Sequence, residues 1–179
     1  MALSRTQMGT IVVLRVLIGW HFLYEGLSKL TTPGWSASGY LLQSRGPFAS
    51  LFRGMAADPN VLSAVNQLTM WGLTAIGLGL VLGCFTRLAS AAGLLLILLF
   101  YLCNPPLAGY FYSIPTEGSY LVVNKNLVEA AALAVILVTG SGLAAGLDRI
   151  IHGLFRRRAR PRWTEPAAPR GASLPDTPA

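Results

Sequence analysis

Acidic residues are scarce in this chain, seven in 179 against fourteen Lys and Arg, and there are only two histidines and two cysteines. Each shortage removes a class of chemistry. Two cysteines cannot ligate an iron–sulfur cluster, and no CxxC pair is present. Transmembrane haem b needs two facing histidines; His152 follows the last apolar segment, so His21 has no counterpart within the chain. HExxH, Walker and dinucleotide-binding patterns are also missing. Redox work by this chain therefore requires a dissociable cofactor or a partner. Charge of either sign is low as well, at 12% of residues, while 53% are hydrophobic and the mean hydropathy is +0.54. That balance excludes an ordinary soluble domain and points to the lipid bilayer.

A membrane span needs about 20 apolar residues. Four segments meet this, about 9–30, 61–83, 86–104 and 121–140, and they predict an all-α integral membrane four-helix bundle over residues 1–150. Arg15 and Glu25 interrupt the first segment, so it reads as a retained helix rather than a cleaved signal. In the second, Ala75, Gly79 and Gly83 recur at spacings of four, a small-residue row suited to close helix approach in lipid. The third, "LASAAGLLLILLFYLC", is the most lipid-like and is expected at the periphery. Cys84 and Cys103 then lie at opposite ends of that helix, about 28 Å apart, too far for a disulfide.

With both termini in the cytoplasm, nine cationic residues lie inside: Arg5, Arg87, Arg149, Arg156, Arg157, Arg158, Arg160, Arg162 and Arg170. Lys29, Arg45, Arg53 and Lys125 fall outside, and Arg15 within the membrane. The positive-inside rule favours this orientation in the cytoplasmic membrane of a bacterium or archaeon. The run "RRRARPR", residues 156–162, follows a membrane helix and reads as a topology determinant on anionic lipid, not a nucleic-acid contact. Residues 151–179 form a basic, Pro- and Ala-rich tail expected to be disordered. On the outer side, residues 31–60 contain two amphipathic runs, 36–43 and 48–57, which predict short helices at the interface. Residues 105–120 carry Tyr110, Phe111, Tyr112 and Tyr120, an aromatic belt or a lid over a pocket.

The ionisable groups inside the apolar segments carry the functional signal. On the first helix Glu25 has His21 and Lys29 at four-residue spacing, so either can contact it. Measured from the outer end, Glu25 sits about 7 Å down, His21 about 13 Å and Arg15 about 22 Å. The last segment opens "NKNLVEAA", which places Asn124, Lys125 and Asn126 near the outer edge and Glu129 about 12 Å below it. Two polar clusters thus share one depth. Charges at membrane depth turn inward toward partners or a wet cavity, which predicts a polar pocket between the first and last helices. The competing arrangement is two intrahelical pairs, Glu25 with Lys29 and Lys125 with Glu129, the lysines reaching outward.

"LRVLIGWHFLYEGLSKL", "GWSASGYL" and "NKNLVEAAALAVIL" together resemble the DoxX/DoxD membrane family, most closely the DoxD-type subunit of thiosulfate:quinone oxidoreductase, over about residues 10–145. The resemblance implies a membrane subunit passing electrons from thiosulfate or a related reduced sulfur compound to a membrane quinone, with a DoxA-type or other redox partner. By position, the family's polar motif residues correspond to Arg15, Gly19, Gly26 and Lys29, and to Asn124, Lys125, Asn126 and Glu129. The resemblance assigns these residues no roles; from their depth and chemistry Glu25, Lys125 and Glu129 are the expected catalytic groups, and Arg15, His21, Lys29, Asn124 and Asn126 the expected quinone contacts. Lys29, Arg45 and Arg53 would attract the divalent anion. A non-catalytic scaffold for a partner redox enzyme is the alternative. A transporter is disfavoured, for no internal repeat is visible.

Overall fold

In a computed structural model, residues 3–106, 122–150 and 153 are described, and their regular structure is helical. Six helices follow in order: α1 (Arg5–Thr31), α2 (Ser38–Leu42), α3 (Ala49–Ala57), α4 (Pro59–Leu82), α5 (Thr86–Cys103) and α6 (Lys125–Thr139). Three of them, α1, α4 and α5, are long and apolar enough to cross a membrane. At 15 residues α6 extends about 22 Å, short of a hydrocarbon core of roughly 30 Å. The expected aromatic belt or lid and almost all of the basic tail lie outside the described residues.

Local chemistry sets the boundaries. Ser4 and Gln7 form a reciprocal capping box that starts α1. Asp58 caps α4 through the amides of Asn60 and Val61, with Pro59 in the first turn. Gly83 and Gly140 end α4 and α6 in the left-handed conformation that a side chain resists.

Packing follows glycine rather than charge. Helix α1 runs antiparallel to α4, and a methyl group on Gly19 would lie 2.8 Å from Leu80 Cβ, while one on Gly77 would fall on the Leu23 backbone. The two backbones touch because neither helix carries a side chain there. Of the small-residue row Ala75, Gly79 and Gly83, two serve other close approaches: a methyl on Gly79 would lie 3.2 Å from Ala89 Cβ and one on Gly83 2.7 Å from Gly146 Cα, while Ala75 is exposed and Gly77 is the tight residue against α1. The reason is that the row facing α1 is set by its own Gly19 and Gly26, which select the stripe of Leu73, Gly77 and Leu80. Nor is α5 peripheral: it packs against both α4 and α6, and Gly93 faces Ile76, Leu133 and Phe22 at the centre of the core.

A second, smaller core closes the end where α1 finishes. The two short helices arise within the amphipathic runs, and Leu41 of α2 and Phe52 of α3 bury against Ala37 and Cys103. Ser44 Oγ donates to Cys103 O at 2.6 Å and Tyr40 Oη to Phe100 O at 2.8 Å, so these helices are fastened to the end of α5. Leu42, Phe48 and Leu51 remain exposed on the same helices, an apolar edge available to lipid. Both cysteines are free.

Candidate functional site

The polar residues of α1 and α6 meet. His21 Nε2 lies 3.3 Å from Glu129 Oε1, an ion pair between the two helices when the imidazole is protonated. One turn further along α1, Lys29 Nζ pairs with Glu25 Oε2 and also donates to the Glu25 carbonyl oxygen at 3.3 Å. Sequence spacing left Glu25 free to choose between His21 and Lys29. The structure resolves the choice: Glu25 takes the lysine within its own helix, and the imidazole turns across to α6.

The two pairs form one electrostatic unit, because the His21 and Lys125 charges both act on the Glu25 carboxylate. Its exposure is graded. The Glu129 side chain is 16% exposed and Lys29 19%, while His21 is 37% and Glu25 41% exposed. The cluster is therefore mostly buried at Glu129 and Lys29 and partly exposed at His21 and Glu25. Lys29 additionally lies over the Trp35 ring, 5.7 Å from its centroid.

The remaining expected residues have more local duties. Asn124 Oδ1 accepts from the Leu127 amide at 3.1 Å, which makes it the N-cap of α6. Asn126 sits half-buried in the first turn, and Lys125 is exposed beside it. Arg45 and Arg53 are exposed at the α2–α3 end, with Arg53 Nε donating to Ala49 O at 3.2 Å. Lys29, paired to a carboxylate, contributes little net positive charge toward an anion.

Arg15 does not join the cluster. Six residues before His21, and so about 9 Å lower on α1, it is 2% exposed and donates through Nη2 to Ala145 O at 2.7 Å. Its counter-charge is Asp148, a residue that spacing arguments passed over. The available signal was an arginine within an apolar helix, which requires an acidic partner at its own depth; Asp148 is the first acidic residue after α6.

The DoxX family matches residues 10–103. No curated protein and no solved structure matches the chain. The matched region runs from α1 to the end of α5, so it holds His21, Glu25 and Lys29 while Glu129 lies beyond it. Since it covers more than half of the sequence and agrees with the apolar helices, the chain is a membrane protein belonging to the DoxX family.

Proposed function

We propose that this protein is the membrane subunit of a quinone-linked oxidoreductase of the DoxD type, taking electrons from thiosulfate or a related reduced sulfur compound through a partner subunit. The observation that carries the reading is the His21–Glu129 pair between α1 and α6, partly exposed at His21 and more buried at Glu129. Its donor set fits a quinone headgroup: the imidazole N–H donates to a carbonyl oxygen, the Glu129 carboxylate exchanges a proton, and the Lys29–Glu25 pair fixes the local field. When bound, the quinone supplies the two-electron, two-proton acceptor. Glu25 and Lys125, exposed members of the cluster, relay protons between the headgroup and the outer surface. Helix α6 completes a four-helix bundle in this reading, with both termini in the cytoplasm as the charge distribution favours.

Photo-crosslinking with a quinone analogue tests it. The wild-type protein should label on α1 or α6, and Glu129→Gln and His21→Gln should each reduce labelling at least tenfold. Labelling that is absent, or unchanged in both variants, would sink the proposal. One observation favours a scaffold instead: Lys29 is neutralised by Glu25 and Asn124 is committed to capping. A scaffold would keep its redox partner through purification and leave the analogue unbound.

A further inference from the structure

The opposite end of the bundle holds a second polar site. Three segments converge there: α1 at Arg15, the turn between α4 and α5, and the stretch that follows α6. Gly83 and Gly146 are in backbone contact, and a methyl on Gly83 would lie 2.7 Å from Gly146 Cα and 3.0 Å from Arg15 Nη2. The Asp148 amide donates to Gly83 O at 2.8 Å. Glycine at both Gly83 and Gly146 lets two backbones and the Arg15 guanidinium share one small volume.

Asp148 fills that volume with a carboxylate. Its Oδ1 accepts from the Phe85 amide at 2.6 Å and its Oδ2 from the Thr86 amide at 2.9 Å, so both oxygens serve the N-terminus of an 18-residue helix. Each oxygen keeps a second lone pair, but neither accepts a hydrogen bond from Arg15. Its Nε and Nη1 are buried without a hydrogen-bond partner, and so is the Ser141 hydroxyl in the same stretch of chain. A buried guanidinium with two idle donors is costly: the Asp148 oxygens stay at the Phe85 and Thr86 amides, and Nε and Nη1 lack oxygens placed within their own reach.

A tetrahedral oxyanion has them. With Asp148 swung away, phosphate can accept from the Phe85 and Thr86 amides through two oxygens, as anions do at helix N-termini, and present the others to the Arg15 fork. Arg87 lies at the rim against Gly140, and the covering stretch is thin, with Ala145 and Leu147 exposed. We propose that Arg15 and the α5 N-terminus form a binding site for a phosphate-type oxyanion, and that Asp148 is a tethered carboxylate occupying it in exchange with the ligand. The phosphate can be that of a lipid headgroup or a free ion. This site is independent of the quinone reading, since it shares no residue with the His21–Glu129 cluster.

The full chain, delipidated in a maltoside detergent that contains no phosphate, is titrated with inorganic phosphate and separately with phosphatidylglycerol, with chloride at matched ionic strength as control. Saturable thermal protection by phosphate alone identifies a free ion as the ligand; protection by phosphatidylglycerol that competes with phosphate identifies a headgroup. Asp148→Asn should bind phosphate at least tenfold more tightly and Arg15→Lys at least tenfold more weakly. In wild-type protein, where no variant has to fold, phosphate should accelerate hydrogen exchange at the Asp148 amide. Phosphate and lipid acting no differently from chloride would mean that water alone fills the space, and the site would be refuted. Unchanged exchange at Asp148, or Asp148→Asn binding no tighter than wild type, would overturn the exchange.

Discussion

His21 on α1 and Glu129 on α6 are separated by 108 positions in the chain and by 3.3 Å in space. They touch directly across the two helices, whereas Glu25 pairs with Lys29 within its own helix and feels the charge of Lys125 on α6. Coupling to Glu129 should accordingly run mainly through the imidazole. A double-mutant cycle on His21→Gln and Glu129→Gln should give an interaction energy of about 1 kcal/mol. The same cycle on Glu25→Gln and Glu129→Gln should be close to additive. Thermal unfolding in detergent reads both. Additivity in the first cycle would mean that the pair is an accidental contact.

The α1–α4 interface gives a sharper test, because two glycines of one helix have opposite surroundings. A methyl on Gly77 would meet the Leu23 backbone, and one on Gly72 would meet nothing within 4 Å. Backbone cannot rotate aside as a side chain can. Gly77→Ala should therefore destabilise by about 1–3 kcal/mol or more, while Gly72→Ala should be neutral or slightly stabilising through helix propensity. Unfolding temperatures of the two variants in one detergent settle the matter; equal values would place the helix contact elsewhere.

What the sequence made legible, and what it hid, divides along the range of the interaction. Helix positions were readable, since the apolar segments 9–30, 61–83 and 86–104 match α1, α4 and α5 closely, and the amphipathic runs contain α2 and α3. These depend on local composition and on caps such as Asp58 and Asn124. The shared depth of His21 and Glu129 was also readable, because rise per residue is fixed. Which stripe of α4 faces α1 was not: Ala75, Gly79 and Gly83 and the true contact at Gly77 have the same small-residue character, and only the partner helix distinguishes them. The Arg15 site was hidden for a different reason. Its hydrogen bond spans 130 positions, and its acidic partner sits in a glycine-rich stretch that has no periodicity of its own.

Asp148 makes the end of the bundle sensitive to acid. Burial raises its pKa, but the adjacent Thr86 hydroxyl, the Thr86 and Phe85 amides and the Arg15 charge outweigh burial and hold it below the ordinary value of 3.8. A carboxyl depressed in the folded state contributes stability that is fully present above its unfolded pKa and is lost as pH falls through the folded one. Wild-type protein should thus keep its unfolding temperature down to about pH 4 and lose it below that, with Asp148→Asn less stable at neutral pH and flatter over the same acid range. Parallel curves for the two proteins would show that Asp148 carries none of the acid response.

Orientation in the membrane rests on charge counts, and the structure dictates how to measure it. Ser44 looks from sequence like a convenient labelling position in the first outer loop, but it is 2% exposed and bonded to Cys103 O, so a cysteine there would be silent on either side. Gly39 on α2 is exposed, and a methyl group built on it meets nothing within 4 Å. In a background with Cys84 replaced by Ser, Gly39→Cys and Ser173→Cys place one thiol at the α2 end and one in the C-terminal tail; the native Cys103, buried, should stay unlabelled. A membrane-impermeant maleimide applied to intact cells should label Gly39→Cys and leave Ser173→Cys unmodified until the membrane is opened, because nine of the fourteen cations are then retained inside. The reverse pattern would invert the protein, and would move Arg15, Asp148 and the oxyanion site to the outer surface. Labelling of both thiols from one side would show that an even number of crossings, α4 and α5 alone, separates helix α2 from the tail, and that α6 does not span.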